Sequence, residues 1–303
     1  MNLSSTSLIL LFCLPLGLTA GTLERTRTLE YSPDGIETFS LETGSRNLEI
    51  RGAGNGMIVF ELTARIRARK REQAEAIFRK LGVHEEREGG HLRLRCKDFG
   101  KKVSLDYRVF LPAGIAVEIL SSSGNLEILD HRGRVDFQSG SGDLRIRSLD
   151  GPARLRSNSG DFSLASINGD LNARSHSGDI DVRGLFGDCE VECSSGEIRV
   201  SGLSGNLEAK TSSGDVEAKG IASPAHSFLV FTSSGDVDLA LHPEASVFLQ
   251  LRSGSGNLEV QAPMEVLELD RHRLKGYLAS GDLPARVETS SGDIRIRLQE
   301  KKE

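Results

Sequence analysis

Ser141-Gly142-Asp143-Leu144-Arg145-Ile146 returns eighteen residues later as Ser159-Gly160-Asp161-Phe162-Ser163-Leu164, then as Ser177-Gly178-Asp179-Ile180-Asp181-Val182 and Ser195-Gly196-Glu197-Ile198-Arg199-Val200. The series opens with Ser123-Gly124-Asn125-Leu126-Glu127-Ile128 and reaches Ser213-Gly214-Asp215-Val216-Glu217-Ala218. Glycine itself recurs every nine residues, at 124, 133, 142, 151, 160, 169, 178, 187, 196, 205 and 214. A fixed period of this kind is the mark of a stacked repeat architecture. The text continues less regularly at Ser234-Gly235-Asp236-Val237 and Ser255-Gly256-Asn257-Leu258, each 21 residues on, and at Ser291-Gly292-Asp293-Ile294, 36 further on. That last interval predicts one degenerate coil between Gly256 and Gly292.

Within each unit the residues two and four past the glycine are apolar and the one between is polar, the period of a half-buried strand. The second half repeats the pattern: Val135 and Phe137, Ala153 and Leu155, Leu171 and Ala173, Cys189 and Val191, Leu207 and Ala209 should point inward. Leu149, Ile167, Leu185, Leu203 and Ile221 add one more apolar residue before the second glycine. The fold class is therefore all-β, a single-stranded parallel β-solenoid with about 18 residues per coil, in which each coil buries its apolar face against its neighbours.

Stacking brings equivalent residues into columns about 4.8 Å apart. Three before the glycine stand Ser121, Ser139, Ser157, Ser175, Cys193, Thr211, Thr232, Ser253 and Thr289, and immediately before it Ser in every coil. Both columns are expected inside, as hydroxyl ladders that bond to one another and to the turn backbone. That role in specifying the coil outweighs any nucleophilic one. One past the glycine runs an acidic column: Asn125, Asp143, Asp161, Asp179, Glu197, Asp215, Asp236, Asn257, Asp293. Like charges so placed repel by about 1 kcal/mol per pair even in bulk water. Calcium could offset this, but nine-residue calcium rolls use several glycines per half-turn where this repeat has one. Turn carboxylates that accept backbone N–H groups are the preferred reading.

Around the repeats, residues 1–20 hold the apolar run Leu8 to Leu18 and end in Thr19-Ala20, before Gly21, as a secretory signal peptide does, although Met1 to Ser7 lacks a basic residue. No later segment approaches the roughly 20 apolar residues of a bilayer span. Residues 21–120 alternate as strands at Ile58–Arg67, His91–Cys96 and Val103–Leu111. Gly89-Gly90 suggests a hairpin, and Ala74, Ile77, Phe78 and Leu81 lie at helical spacing before Gly82. The region reads as a strand-rich N-terminal cap with one short helix, covering a solenoid edge that would otherwise template aggregation; an independent recognition module is the alternative. The repeat region is 121–303, and its charged end, Gln299 to Glu303, blunts the other edge.

Chemistry is harder to find. The 303 residues carry 38 Lys+Arg against 43 Asp+Glu, a formal charge of −5 spread along the chain, so no nucleic-acid partner is expected. The seven histidines, at 84, 91, 131, 176, 226, 242 and 272, lack metal-ligand spacing. The outward column Glu127, Arg145, Ser163, Asp181, Arg199, Glu217 is mixed in sign and marks no single site. The absence of Trp and presence of only three Tyr leave little aromatic surface for stacking sugars. Cys189 and Cys193, four apart on one strand, would lie about 13 Å apart, beyond the roughly 7 Å limit for a disulfide, and should be buried thiols. No catalytic, cofactor-binding or metal-ligating residue is assigned, and no cofactor.

With its Ser-Gly-Asp-[Leu/Ile/Val] coils, its strand-rich lead-in and the Val109-Phe-Leu-Pro-Ala-Gly114 entry to the coils, the chain resembles the bacterial family of exported β-strand-repeat proteins labelled "putative adhesins". The resemblance implies a non-enzymatic scaffold in the envelope or at the surface (periplasm, cell surface or medium) that contacts an envelope or surface protein or a glycan. A polysaccharide-acting enzyme on the same architecture and a calcium-binding β-roll are the alternatives. The long intervals 221–234 and 240–255 are expected to form loops, and Pro224-Ala-His226 and His242-Pro-Glu244 are where partner contacts would fall.

Overall fold

The structure is a computed structural model and describes residues 22–54, 56–96, 103–221, 226–281 and 283–299. The signal-peptide segment, Pro224 and Ala225 lie outside the described residues. The described residues form 27 strands and one helix, Arg71–Lys80, and the chain divides into two compact units, Met1–Arg145 and Ile146–Glu303. The expected all-β solenoid is what forms.

In the first unit, parallel stacking begins well before Ser121. Strands Thr38–Ser45 and Asn47–Gly52 make a coil that lies under strands Ala116–Ser123 and Leu126–Arg132, in the register Phe39↔Val117 and Leu48↔Leu126. Its other side takes strands His91–Cys96 and Val103–Leu111, with Phe39↔Leu92 and Ile50↔Val109. Beyond these the direction changes. Ile58–Arg67 runs antiparallel to Val103–Leu111, Thr22–Tyr31 antiparallel to Ile58–Arg67, and Val83–Glu88 forms the expected hairpin with His91–Cys96. The helix buries Ala74 and Phe78 as its spacing predicts, Leu81 closes it with its N–H on the Phe78 carbonyl, and the Arg27 guanidinium sits 5.3 Å from the Phe78 ring centroid.

In the second unit, coils of two seven-residue strands stack in parallel with equivalent residues paired: Phe162↔Ile180↔Ile198↔Val216 on one sheet, Leu171↔Cys189↔Leu207↔Phe228 on the other. Nearly every inward apolar residue in these columns is at most 2% exposed. At about 1.5–3 kcal/mol for each buried aliphatic side chain, this core dominates cohesion.

The degenerate coil expected between Gly256 and Gly292 is not there. The chain instead leaves one level of the stack open, builds strands Val247–Ser253 and Leu258–Gln261 one level further out, and turns back through an antiparallel hairpin, Met264–Leu269 and Arg273–Leu278. The last strands, Leu283–Ser291 and Ile294–Leu298, then fill the open level, pairing Val230↔Val287 on one side and Leu251↔Val287 on the other. Contact at the turn is tight: a Cβ on Gly292 would lie 2.0 Å from the Gly235 carbonyl oxygen, and one on Gly256 would lie 1.8 Å from that of Gly292. Both positions therefore demand glycine.

Candidate functional site

The acidic column is consumed by the stack. Five aspartates of the column accept, through Oδ1, the backbone N–H of the equivalent residue one level on: Asp161 from Asp179 (2.9 Å), Asp179 from Glu197 (2.9 Å), Asp215 from Asp236 (2.8 Å), Asp236 from Asp293 (2.8 Å) and Asp293 from Asn257 (2.8 Å). Asn125 does the same for Asp143, at 3.0 Å. Glu197, one methylene longer, is instead engaged by Arg199. An amide donor satisfies the carboxylate and links coils at the same time. A second column, missed in the sequence, does likewise at the opposite turn, where Asp170 accepts from Asp188 (3.0 Å), Asp188 from Asn206 (2.9 Å) and Asn206 from Ser227 (2.9 Å). Its signal was present as Gly-Asp or Gly-Asn at 169, 187 and 205. Among the described residues, no group of three or more His, Cys, Asp or Glu is arranged to hold a metal ion.

The hydroxyl columns differ from expectation in two ways. In-register hydroxyls would sit near the 4.8 Å strand spacing, too far apart to bond one another, so they bond only to the turn backbone. Ser139, Ser157 and Ser175 donate to the carbonyls two residues on, at 2.7, 2.7 and 3.0 Å, whereas Thr232, Thr289 and Ser253 reach the glycine carbonyl of the neighbouring level at 3.1, 3.2 and 2.9 Å. The serines immediately before the glycines are not inside. Ser159, Ser195, Ser213, Ser234, Ser255 and Ser291 are exposed because the chain is already turning the corner, which breaks strand alternation.

The nucleophilic and titratable candidates are held in inert surroundings. Cys193 takes a column position and donates to the Gly178 carbonyl at 3.2 Å; Cys96, Cys189 and Cys193 are all free thiols. Burial pushes the Cys189 thiol up to about 12 and that of Cys96 up to about 11, so both stay protonated at neutral pH. His131 fills the corner slot that Leu149, Ile167, Leu185 and Leu203 fill in other coils and is 1% exposed. Burial lowers its pKa to about 4; the Ile115 backbone only partly opposes the shift, and neither ring nitrogen has a hydrogen bond of good geometry.

What remains is the outward surface. It carries short-range ion pairs of alternating sign, among them Arg174–Glu190 (2.7 Å) and Arg183–Asp181 (2.5 Å), with Lys210–Glu208 and Lys219–Glu217. Exposed pairs of this kind contribute about 0–1 kcal/mol each. The His242-Pro-Glu244 segment is a tight turn, its Glu244 N–H donating to His242 Nδ1 at 3.2 Å. The outward surface of the second unit also holds a groove of about 410 Å³, lined by Phe231, Ser233, Arg252, Gly254, Glu288 and Ser290 among others. Sequence reasoning missed it because its walls come from separate strands that reach from Thr211 to Ser290 in the chain.

Fold and surface together define an all-β repeat scaffold. The chain matches the Toastrack DUF4097 family over residues 113–185 and 186–297, more than half its length, and belongs to that family. No curated protein matches it. Among solved structures it is similar to a "putative adhesin" from Bacteroides fragilis NCTC 9343 (14% identity, 74% of this chain and 100% of that one, TM-score 0.37). It is also similar to a "putative lipid binding protein" from Parabacteroides distasonis ATCC 8503 (14%, 91% and 97%, TM-score 0.36) and to a "putative cell adhesion protein" from Clostridium sporogenes ATCC 15579 (14%, 91% and 100%, TM-score 0.27).

Proposed function

We propose that the chain is an exported, non-enzymatic β-solenoid scaffold that works at the cell envelope or surface in adhesion or protein–protein contact. In this reading residues 1–20 are removed on export, 21–120 cap the stack and 121–303 present the repeat faces. The supporting observation is where the repeated chemistry goes. The turn aspartates and the hydroxyls three before each glycine are turned onto the backbone of the stack, which makes them cohesive elements and leaves the outward faces as the part that meets a partner. Among the described residues no helix is long and apolar enough to cross a membrane.

The test is a paired assay on purified protein. Beads coated with the chain should adhere saturably to envelope fractions, and the same protein should release no fragments from envelope polysaccharides. Turnover that is abolished by a point substitution would overturn the proposal. The calcium alternative is separated by thermal unfolding, whose midpoint should stay within about 1 °C between millimolar calcium and excess chelator, less than the roughly 2 °C that 1 kcal/mol would shift a chain of this length.

A further inference from the structure

At the groove, the charge alternation of the outward face breaks. The register column through it runs Glu192, Lys210, Phe231, Glu288, Arg252 and, across the antiparallel pair, Arg273. An aromatic ring thus stands where the two preceding levels carry charges, with the Arg286 guanidinium 5.5 Å from its centroid. In the next outward column Ser233 and Ser290 are followed by Gly254, where a Cβ would lie 2.4 Å from the Ser290 carbonyl oxygen. The Ser253 N–H donates to the His272 carbonyl at 3.1 Å, which makes Arg252 and Arg273 a non-hydrogen-bonded cross-strand pair, the arrangement that brings side chains closest. Like charges directly opposite destabilise a sheet.

The nearby carboxylates are engaged elsewhere: Glu288 by Arg286 and Glu268 by Lys275, both at 2.6 Å, while Asp270 accepts the His272 N–H at 2.7 Å. Among the described residues neither Arg252 nor Arg273 is in an ion pair, although Glu288 is the register neighbour of Arg252. The Arg252 guanidinium, an aromatic ring, two hydroxyls and a carboxylate with one oxygen uncommitted therefore line a volume typical of a small-ligand site, and Arg273 stands directly opposite Arg252 on the adjacent strand.

We propose that this groove binds the carboxylate-bearing sugars of an acidic polysaccharide. The Arg252–Arg273 pair takes the uronate carboxylate in charge-assisted hydrogen bonds, Phe231 supports the apolar face of the ring, and Ser233, Ser290 and Glu288 bond its hydroxyls. A surface built only to attract polyanions would not place Glu288 beside the arginines. The inference rests on the surface-scaffold reading only for where such a polymer would be met.

The experiment is calorimetric titration of the full chain with tetragalacturonate and with its methyl ester. Saturable binding is expected, at least tenfold weaker for the ester and for Arg252→Gln/Arg273→Gln, and several-fold weaker for Phe231→Leu. Arg154→Gln/Arg156→Gln removes the same charge from the same sheet outside the groove and should bind as the parent does. Each variant is first shown to unfold at the parent midpoint, and one that does not is replaced by the lysine or tyrosine counterpart. Absence of binding, or equal loss in both double variants, overturns the groove and leaves the scaffold reading standing; equal binding of polyglutamate also overturns it. Release of reducing ends would overturn the non-enzymatic reading while the groove stands.

Discussion

Replacing His131 with Leu should make the protein less sensitive to acid. The imidazole is 1% exposed, neither nitrogen is well bonded, and its pKa falls from 6.5 to about 4 in the fold. Because the folded value is depressed, the unfolded chain binds the extra proton first, and stability drains away as pH falls from the unfolded value towards the folded one. With these two values the native state loses about 2 kcal/mol between pH 7 and pH 5, and about 3 kcal/mol by pH 4. Leucine is the residue of the equivalent slot in three other coils, at 149, 185 and 203, so the corner accommodates it. Urea unfolding of parent and His131→Leu, followed by circular dichroism at pH 7 and pH 5, isolates the effect, since the packing change is the same at both pH values and the carboxylates are the same in both proteins. The difference between the proteins should widen by about 2 kcal/mol at the lower pH. If it stays constant within about 0.5 kcal/mol, the histidine is not held neutral and the argument from burial fails.

Gly292→Ala would set a Cβ 2.0 Å from the Gly235 carbonyl and should cost about 3 kcal/mol or more. Proteolysis and amide exchange should rise first in Leu283–Leu298 and Leu258–Gln261, while Gly82→Ala, with open space around it, should be neutral. Asp236→Ala strips the acceptor from the Asp293 N–H and should lower stability by about 1 kcal/mol, whereas Asp236→Asn keeps the acceptor and should hold the thermal midpoint. Cys96 and Cys189 should resist maleimide labelling at pH 7.5 until the protein is denatured, because burial keeps both thiols protonated; rapid labelling of the native protein would contradict that.

The coil was legible because its signal is local. A two-residue alternation names the inward face of each strand, and a glycine every nine residues names the corners. The coil at Thr38–Gly52 was legible in principle: Ser45-Arg46-Asn47-Leu48-Glu49-Ile50 is the opening motif of the repeat with Arg at the glycine position, and it stacks residue for residue under Ser123–Ile128. It escapes a search for glycine. The hydroxyl partners were less legible, since period alone does not say whether two stacked oxygens lie 2.8 or 4.8 Å apart. Nor does it say that the serine before each glycine, at the end of its strand, is turned out of the interior.

The sequence by itself determined the coil length, the inward columns, the cohesive turn residues and the class of fold, because each follows from side-chain alternation over a few residues. Only the tertiary structure decided the order of levels at the C-terminal end, where the last coil enters between two earlier ones. The reason is that parallel strands are chosen by whichever edge is free and apolar, and every coil offers nearly the same edge. That choice brings Phe231, Glu288, Arg252 and Arg273, at separated places in the chain, side by side on one face.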